Sequence, residues 1–348
     1  MKIFNLTLCL VFLITVSGCS IPGSSGNPPV EDDSVTIKGR LNVPQVASNG
    51  ILAAIGEENS ADGFARFLAG ATCIVNGKSV SYSLSSTTRD LTVEKMPPAD
   101  SYHLELRCSN LKLRAFAPWS GRNTNLPFGV SLRSTADWYL RDALASSANI
   151  AHDHLGEYAI KEFLLDSLAG AMQTELKKTA LTSATYDKFV SNGAAAAVNG
   201  KTLSECLRKN GAAFAYNGTF SGNVSYYAFN SSGKAVLAVQ AVASMTCSQA
   251  GNSVSGSLNI EPTAVVPLVA NPGIQSPSKT AFAFSGTVQN SFLAFTRKGL
   301  LGPLAGKALD SWTIFPVRGG VAVRAENLDS AYYTGLLIRP GEFILQKR

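Results

Sequence analysis

The stretch Tyr216-Asn217-Gly218-Thr219-Phe220-Ser221-Gly222-Asn223-Val224 aligns with Phe284-Ser285-Gly286-Thr287-Val288-Gln289-Asn290-Ser291-Phe292, 68 residues further along the chain. Both copies put aromatic or β-branched side chains on alternate positions, with a glycine in the same row. Alternation at period two is the pattern of a strand with one buried face. A glycine inside such a strand permits the sharp bend of a barrel corner. Two further strand-like stretches follow each copy: 235–246 and 254–260 after the first, 312–325 and 332–345 after the second. Pro267, Pro272 and Pro277 mark the connection between them. These signals predict a β-rich module over 214–348, an antiparallel meander or small barrel of roughly six to eight strands with an internal repeat.

Working towards the N-terminus, the pattern changes twice. Residues 134–211 read as helical. Ser134-Thr135-Ala136-Asp137 has the form of a capping box ahead of Trp138, Leu140 and Leu144. Leu155, Ala159, Phe163, Leu168, Met172 and Leu176 recur at helical spacing through 153–178. Thr202-Leu203-Ser204-Glu205 is a second capping box, with Gly211 placed to end its helix. Residues 34–132 return to short alternating runs: 35–41, 70–75, 80–84, 91–93, 102–108 and 111–116. Asn76-Gly77 is a strong hairpin signal between two of them. Evenly spaced short strands suggest a β-sandwich. The fold class expected is therefore multidomain α+β: an N-terminal sandwich, a central helical segment and the C-terminal β-module.

The order Ile37-Lys38-Gly39-Arg40-Leu41, then Gly70-Ala71-Thr72-Cys73-Ile74-Val75-Asn76-Gly77-Lys78, then Val93 to Leu106 resembles a carboxypeptidase-regulatory, prealbumin-like domain. That resemblance implies a non-catalytic spacer or recognition module. The first 19 residues carry a second resemblance. Lys2 precedes an apolar run over 3–16, too short for the roughly 20 residues a membrane-crossing helix needs and suited to a cleavable export signal. Its end, Val16-Ser17-Gly18-Cys19, resembles the lipobox of bacterial lipoproteins. The resemblance implies removal of 1–18 and acylation of Cys19, whose thiol forms the thioether to diacylglycerol. Residues 19–33, rich in Ser, Gly and Pro, then form a flexible tether. Ser20 after the cysteine resembles proteins sorted to the outer membrane, so a lipid-anchored place in the cell envelope is expected.

Composition narrows the function classes. The 348 residues are 45% hydrophobic and 16% charged, with 30 Gly and 15 Pro, which excludes collagen, coiled coil and a polar disordered chain. Four cysteines remain after processing: Cys73, Cys108, Cys206 and Cys247. An exported chain meets an oxidising compartment, and sequence proximity favours the disulfides Cys73–Cys108 and Cys206–Cys247. None lies in a C-x-x-C arrangement, which argues against redox catalysis and zinc. Residues 201–348 hold 13 Lys and Arg against 6 Asp and Glu. This basic part would be drawn to anionic lipid or envelope polysaccharide, while export removes nucleic acid as a partner.

No residue pattern identifies an enzyme. His152-Asp153-His154, with Glu157, is the best ligand-like cluster, but residues 152 and 154 do not share a helical face. No metal and no cofactor are therefore expected, and Asp153 reads as a helix cap. Ser231 to Lys234 and Ser276 to Lys279 have the S-x-x-K spacing of penicillin-binding enzymes but sit in turn-like stretches. Residues 302–307 lack P-loop spacing. The leading expectation is a non-enzymatic, membrane-anchored envelope lipoprotein presenting a binding or structural module. A carrier of an apolar ligand inside the C-terminal module is the second reading, and a hydrolase with an unrecognised site the third. The sequence leaves the oligomeric state open.

Overall fold

Alternating side chains build two packed sheets at the N-terminal end. Their strands are β1 (Val35–Arg40), β2 (Ala71–Val75), β3 (Lys78–Val80), β4 (Ser83–Leu84), β5 (Asp90–Met96), β6 (Ser101–Cys108), β7 (Leu111–Pro118) and β8 (Asn123–Asn125). One sheet has the order β4-β5-β1-β8 and the other β3-β2-β6-β7. The computed structural model describes residues 33–43, 70–108, 111–148, 150–178, 182–230, 234–273, 279–298, 308–326, 337–339 and 343–348. The expected signal peptide (1–18), Cys19 and nearly all of the tether lie outside these residues. So do Ser231 to Gly233, Ser276 to Ser278 and 302–307.

Asn76 and Gly77 form the expected hairpin turn, with φ of 48° and 78°. The single strand expected over 80–84 is instead two, β3 and β4, in different sheets. Tyr82 lies between them and donates its hydroxyl to the Ala71 carbonyl at 3.0 Å, which fixes the crossing. On β6, Tyr102, Leu104, Leu106 and Cys108 point into the sandwich. Ser101, His103, Glu105 and Arg107 therefore project from its other face.

That other face is covered by helix. α1 (Leu132–Ala148) starts earlier than the Ser134 box implies. Ser131 and Ser134 exchange hydrogen bonds, each backbone N–H donating to the other's hydroxyl at 2.8 and 3.2 Å. Arg114 of β7 lies 4.3 Å from the Trp138 ring and 4.8 Å from the Tyr139 ring. The helix expected over 153–178 is also corrected. It becomes a 3-10 turn (His152–Leu155), strand β9 (Tyr158–Ile160) and α2 (Glu162–Leu176). Arg141 explains the break, because its guanidinium donates to the Leu155 and Tyr158 carbonyls at 2.8 and 2.7 Å. Carbonyls satisfied this way do not need a helical partner. After α3 (Ser183–Val198), the Thr202–Glu205 capping box opens α4 (Leu203–Cys206) as expected. This helix stops at Cys206 rather than near Gly211, because Leu207 enters β10 (Leu207–Lys209), which pairs with β9.

The C-terminal module is a closed, eight-stranded antiparallel barrel. β11 (Gly218–Phe229), β12 (Ala235–Ala250), β13 (Ser253–Pro267), β14 (Thr280–Gln289), β15 (Phe292–Lys298), β16 (Ala308–Val317) and β17 (Gly320–Glu326) follow in order. Two short pieces, β18 (Leu337–Arg339) and β19 (Phe343–Lys347), pair with opposite ends of β11 and share the eighth position. Pairing of β11 with both β12 and β19 closes the ring. The repeat is used in two ways. Residues 218–224 stay within β11, whereas the second copy turns at Asn290 and Ser291, with φ of 52° and 65°. Gly286 is needed where it stands, since a Cβ there would meet the Ala294 carbonyl at 2.4 Å.

Side chains fill the barrel. Tyr216, Phe220, Met245, Leu258, Leu293, Ile314, Val321, Val323 and Leu345 are all buried in one cluster. Phe284 and Phe295 stack at 4.4 Å, and Phe295 lies parallel to Trp312 at 6.3 Å. An eight-stranded barrel has an interior just wide enough for such filling. Its outward positions Thr219, Asn223, Ser225, Thr246, Ser255, Ser285 and Thr287 are exposed. The outer wall is mixed, because Tyr227, Val242, Val266 and Leu268 are exposed as well. On one side the wall also turns Phe292, Phe315, Val317 and Ala322 onto the core shared by sandwich and helices. Arg318 adds an ion pair to Asp100 at 2.8 Å and covers the Trp119 ring at 4.1 Å.

The expected disulfides are not formed. Cys73 faces Leu106 across β2 and β6, while Cys108 faces Ala71. The two are thus a diagonal pair, about 7–8 Å apart between Cα atoms, beyond the usual disulfide span of about 4.4–6.8 Å. Cys206 packs in the sandwich–helix core and Cys247 in the barrel core. Burial pushes the Cys73 thiol up to about 12 and that of Cys247 to about 11.

Candidate functional site

On the outward face of β6, near the helical layer, the described residues gather a group of three ligand-bearing side chains, His103, His152 and Asp153. His103 Nε2 lies 2.8 Å from Asp153 Oδ1, and the Ser101 hydroxyl donates to the same oxygen at 2.5 Å. The His152 ring sits 4.6 Å from that of His103, tilted by 58°. One ligand atom each from His103, His152 and Asp153 lies within 4.8 Å of the others. Phe116 lines the site at 5.2 Å from His103 and 5.1 Å from His152, and Trp138 lies 5.9 Å from His152.

Local structure accounts for each position. Period two in β6 puts Ser101 and His103 on the same face. The Asn76 side chain then clamps that stretch, donating to the Ser101 carbonyl at 3.1 Å and accepting from the His103 N–H at 2.8 Å. The tight 3-10 turn presents His152 and Asp153 side by side, held by the Gly156 N–H donating to the Asp153 carbonyl at 3.0 Å. Hydrogen bonding from His103, against some desolvation, holds the Asp153 carboxyl down at about 2. Burial, followed by the nearby His103 and Arg141 charges, pushes His152 down to about 3, so its imidazole is neutral.

Serine, histidine and aspartate in contact invite comparison with nucleophilic catalysis. A relay needs the base to meet the nucleophile with one ring nitrogen and the carboxylate with the other. Here Ser101 and Asp153 both lie at Nε2 of His103, Ser101 being 3.3 Å away, and the Ser101 proton already goes to the carboxylate. This geometry clamps two segments together or holds a cation; it does not activate the hydroxyl.

The structure therefore redraws the ligand-like cluster. His152 and Asp153 stay, Glu157 leaves to pair with Lys209 at 3.1 Å, and His154 takes no part in the group. His103, 49 positions upstream of His152, comes in. Its outward register on an alternating strand was visible, but nothing in the sequence ties it to residue 152. Asp153 does not cap a long helix as expected.

A second feature is a groove of about 680 Å³ between helices and barrel wall. The end of α1 (Leu144, Ala148), the turn after α3 (Asn199 to Lys201) and barrel residues Gln289, Thr313 and Arg324 line it. Lys201 donates to the Ala197 carbonyl at 2.7 Å, and Glu205 is engaged in its capping box. Comparison with known proteins finds no family model, no curated protein and no solved structure that matches this chain.

Proposed function

We propose that this chain is a lipid-anchored lipoprotein of the bacterial cell envelope, with an outer-membrane location, that works by binding rather than by catalysis. Acylated Cys19 would hold it to the membrane through the tether, and residues 201–348 would meet an anionic partner, lipid headgroups or envelope polysaccharide. The prealbumin-like resemblance of the first β-unit fits a presenting rather than a reacting module. The observation that carries the binding reading is the half-polar groove against the barrel wall, in which Lys201 and Arg324 outnumber the one carboxylate, Glu205. The carrier reading loses support because the barrel's interior positions are occupied by its own aromatic side chains.

Anchoring is tested by Cys19→Ser, since serine cannot form the thioether. Several acyl chains hold far more firmly than one reversible chain, so the variant should leave the membrane fraction almost completely. Unchanged fractionation with the membrane would overturn the lipoprotein reading.

A further inference from the structure

We propose that His103, His152 and Asp153 form a binding site for one divalent transition-metal ion of the zinc type. The argument starts from His152. Its ring nitrogens are buried, and among the described residues neither makes a hydrogen bond of good geometry, the Trp138 carbonyl acting on the ring only as a weak backbone partner. A buried polar atom left unpaired costs about 1–3 kcal/mol, and an imidazole lone pair is a good donor to zinc. The lone pair faces a half-buried imidazole and a carboxylate, the other two donor types that zinc favours. Neither His154 nor Glu157 is needed.

The geometry suits an open site. A tetrahedral zinc ion with bonds of about 2.0–2.2 Å holds its ligand atoms about 3.4 Å apart. The three candidate atoms lie within 4.8 Å of one another, so binding asks for shifts on the order of 1 Å. Asp153 can make them because its side chain is 52% exposed. The ion would take the place of the proton now shared between His103 and Asp153, leaving the solvent side for water or a small ligand. Ser101 would remain hydrogen-bonded to the carboxylate and orient it, and Asn76 would hold the strand that carries His103. The Arg141 guanidinium acts on His152, but it also covers the Phe116 ring at 4.6 Å and is paired with Asp137 at 2.7 Å, which offsets its repulsion.

The test uses the mature, full-length protein in detergent, stripped with a chelator and titrated with Zn²⁺ by calorimetry. Co²⁺ serves as a coloured probe of tetrahedral coordination. One ion per chain is expected, with tetrahedral-type Co²⁺ absorption. Binding should be lost in His103→Gln and in Asp153→Asn, and weakened about 10–100-fold in Ser101→Ala. His154→Gln should bind as the parent does. Thermal unfolding without metal checks that each variant folds, and two independent ligand variants guard against one that does not. No binding by the parent protein would overturn the proposal. Binding that survives both ligand variants, or that fails in His154→Gln, would overturn it too.

Discussion

The barrel and the sandwich–helix half solve the same problem with different materials. The barrel closes on itself, so its inner face is covered and filled mainly by apolar side chains, while its outer wall mixes Ser, Thr and Asn with Phe292 and Phe315 where it meets the other half. In the other half, the outer face of a sheet meets a helix, and polar groups from both strand and helix are trapped there. Arg141 and Asp137 are about 95% buried yet paired at 2.7 Å, and Ser101, His103 and Asp153 sit where the same cover ends. Closed sheets leave little room for buried chemistry; a sheet covered by a second layer creates it. This is why the candidate metal site lies at the covered face of β6 and not in the larger barrel.

Two substitutions probe that contrast at its strongest. In the barrel, Phe295→Ala removes the middle ring between Phe284 and Trp312 and should cost about 3–5 kcal/mol, as cavities in filled cores do. In the other half, Arg141→Ala leaves Asp137 buried without its partner and frees the Leu155 and Tyr158 carbonyls, at a similar cost of about 3–5 kcal/mol. Denaturant unfolding measures both. A loss below about 1 kcal/mol for Phe295→Ala would mean the barrel interior is loosely packed, which would revive the carrier reading.

A smaller change should run the other way. Tyr158 lies between the two halves, 4.7 Å from the Phe292 ring and 6.2 Å from that of Phe315. Its hydroxyl is buried without a partner among the described residues, and burial raises its pKa far above the ordinary tyrosine range. An unpaired buried hydroxyl costs about 1–3 kcal/mol, so Tyr158→Phe should raise stability by up to that amount. Destabilisation would show that a partner holds the hydroxyl in solution.

Much of the fold was legible because period-two alternation survives in nearly every strand, from Val35 to Leu345, and because Asn76-Gly77 and Thr202–Glu205 are local devices. What failed was what depends on distant partners. The 153–178 helix broke because Arg141, on another helix, takes carbonyls that a helix would otherwise satisfy. The disulfide pairs failed because closeness in sequence says nothing of strand register, which sets Cys73 and Cys108 on a diagonal. The candidate site was half visible: His152 and Asp153 drew notice as neighbours, while His103 reaches them only through the packing of the 3-10 turn against β6. Reading a helix from 153 onward also hid the 3-10 turn that sets His152 and Asp153 side by side.

Binding to an anionic partner is the claim on which the functional account turns, and salt titration tests it most directly. Residues 20–348, without the signal segment and the lipidated cysteine, are mixed with anionic vesicles, neutral vesicles and acidic envelope polysaccharide. Residues 201–348 should act through long-range attraction, which is screened over about 10 Å at 0.1 M salt and about 3 Å at 1 M. The account predicts retention on an anionic surface at low salt, release as salt rises, and weaker retention for the pair Lys201→Glu and Arg324→Glu. Absence of binding to any anionic surface, or retention indifferent to salt and equal on neutral vesicles, would contradict it.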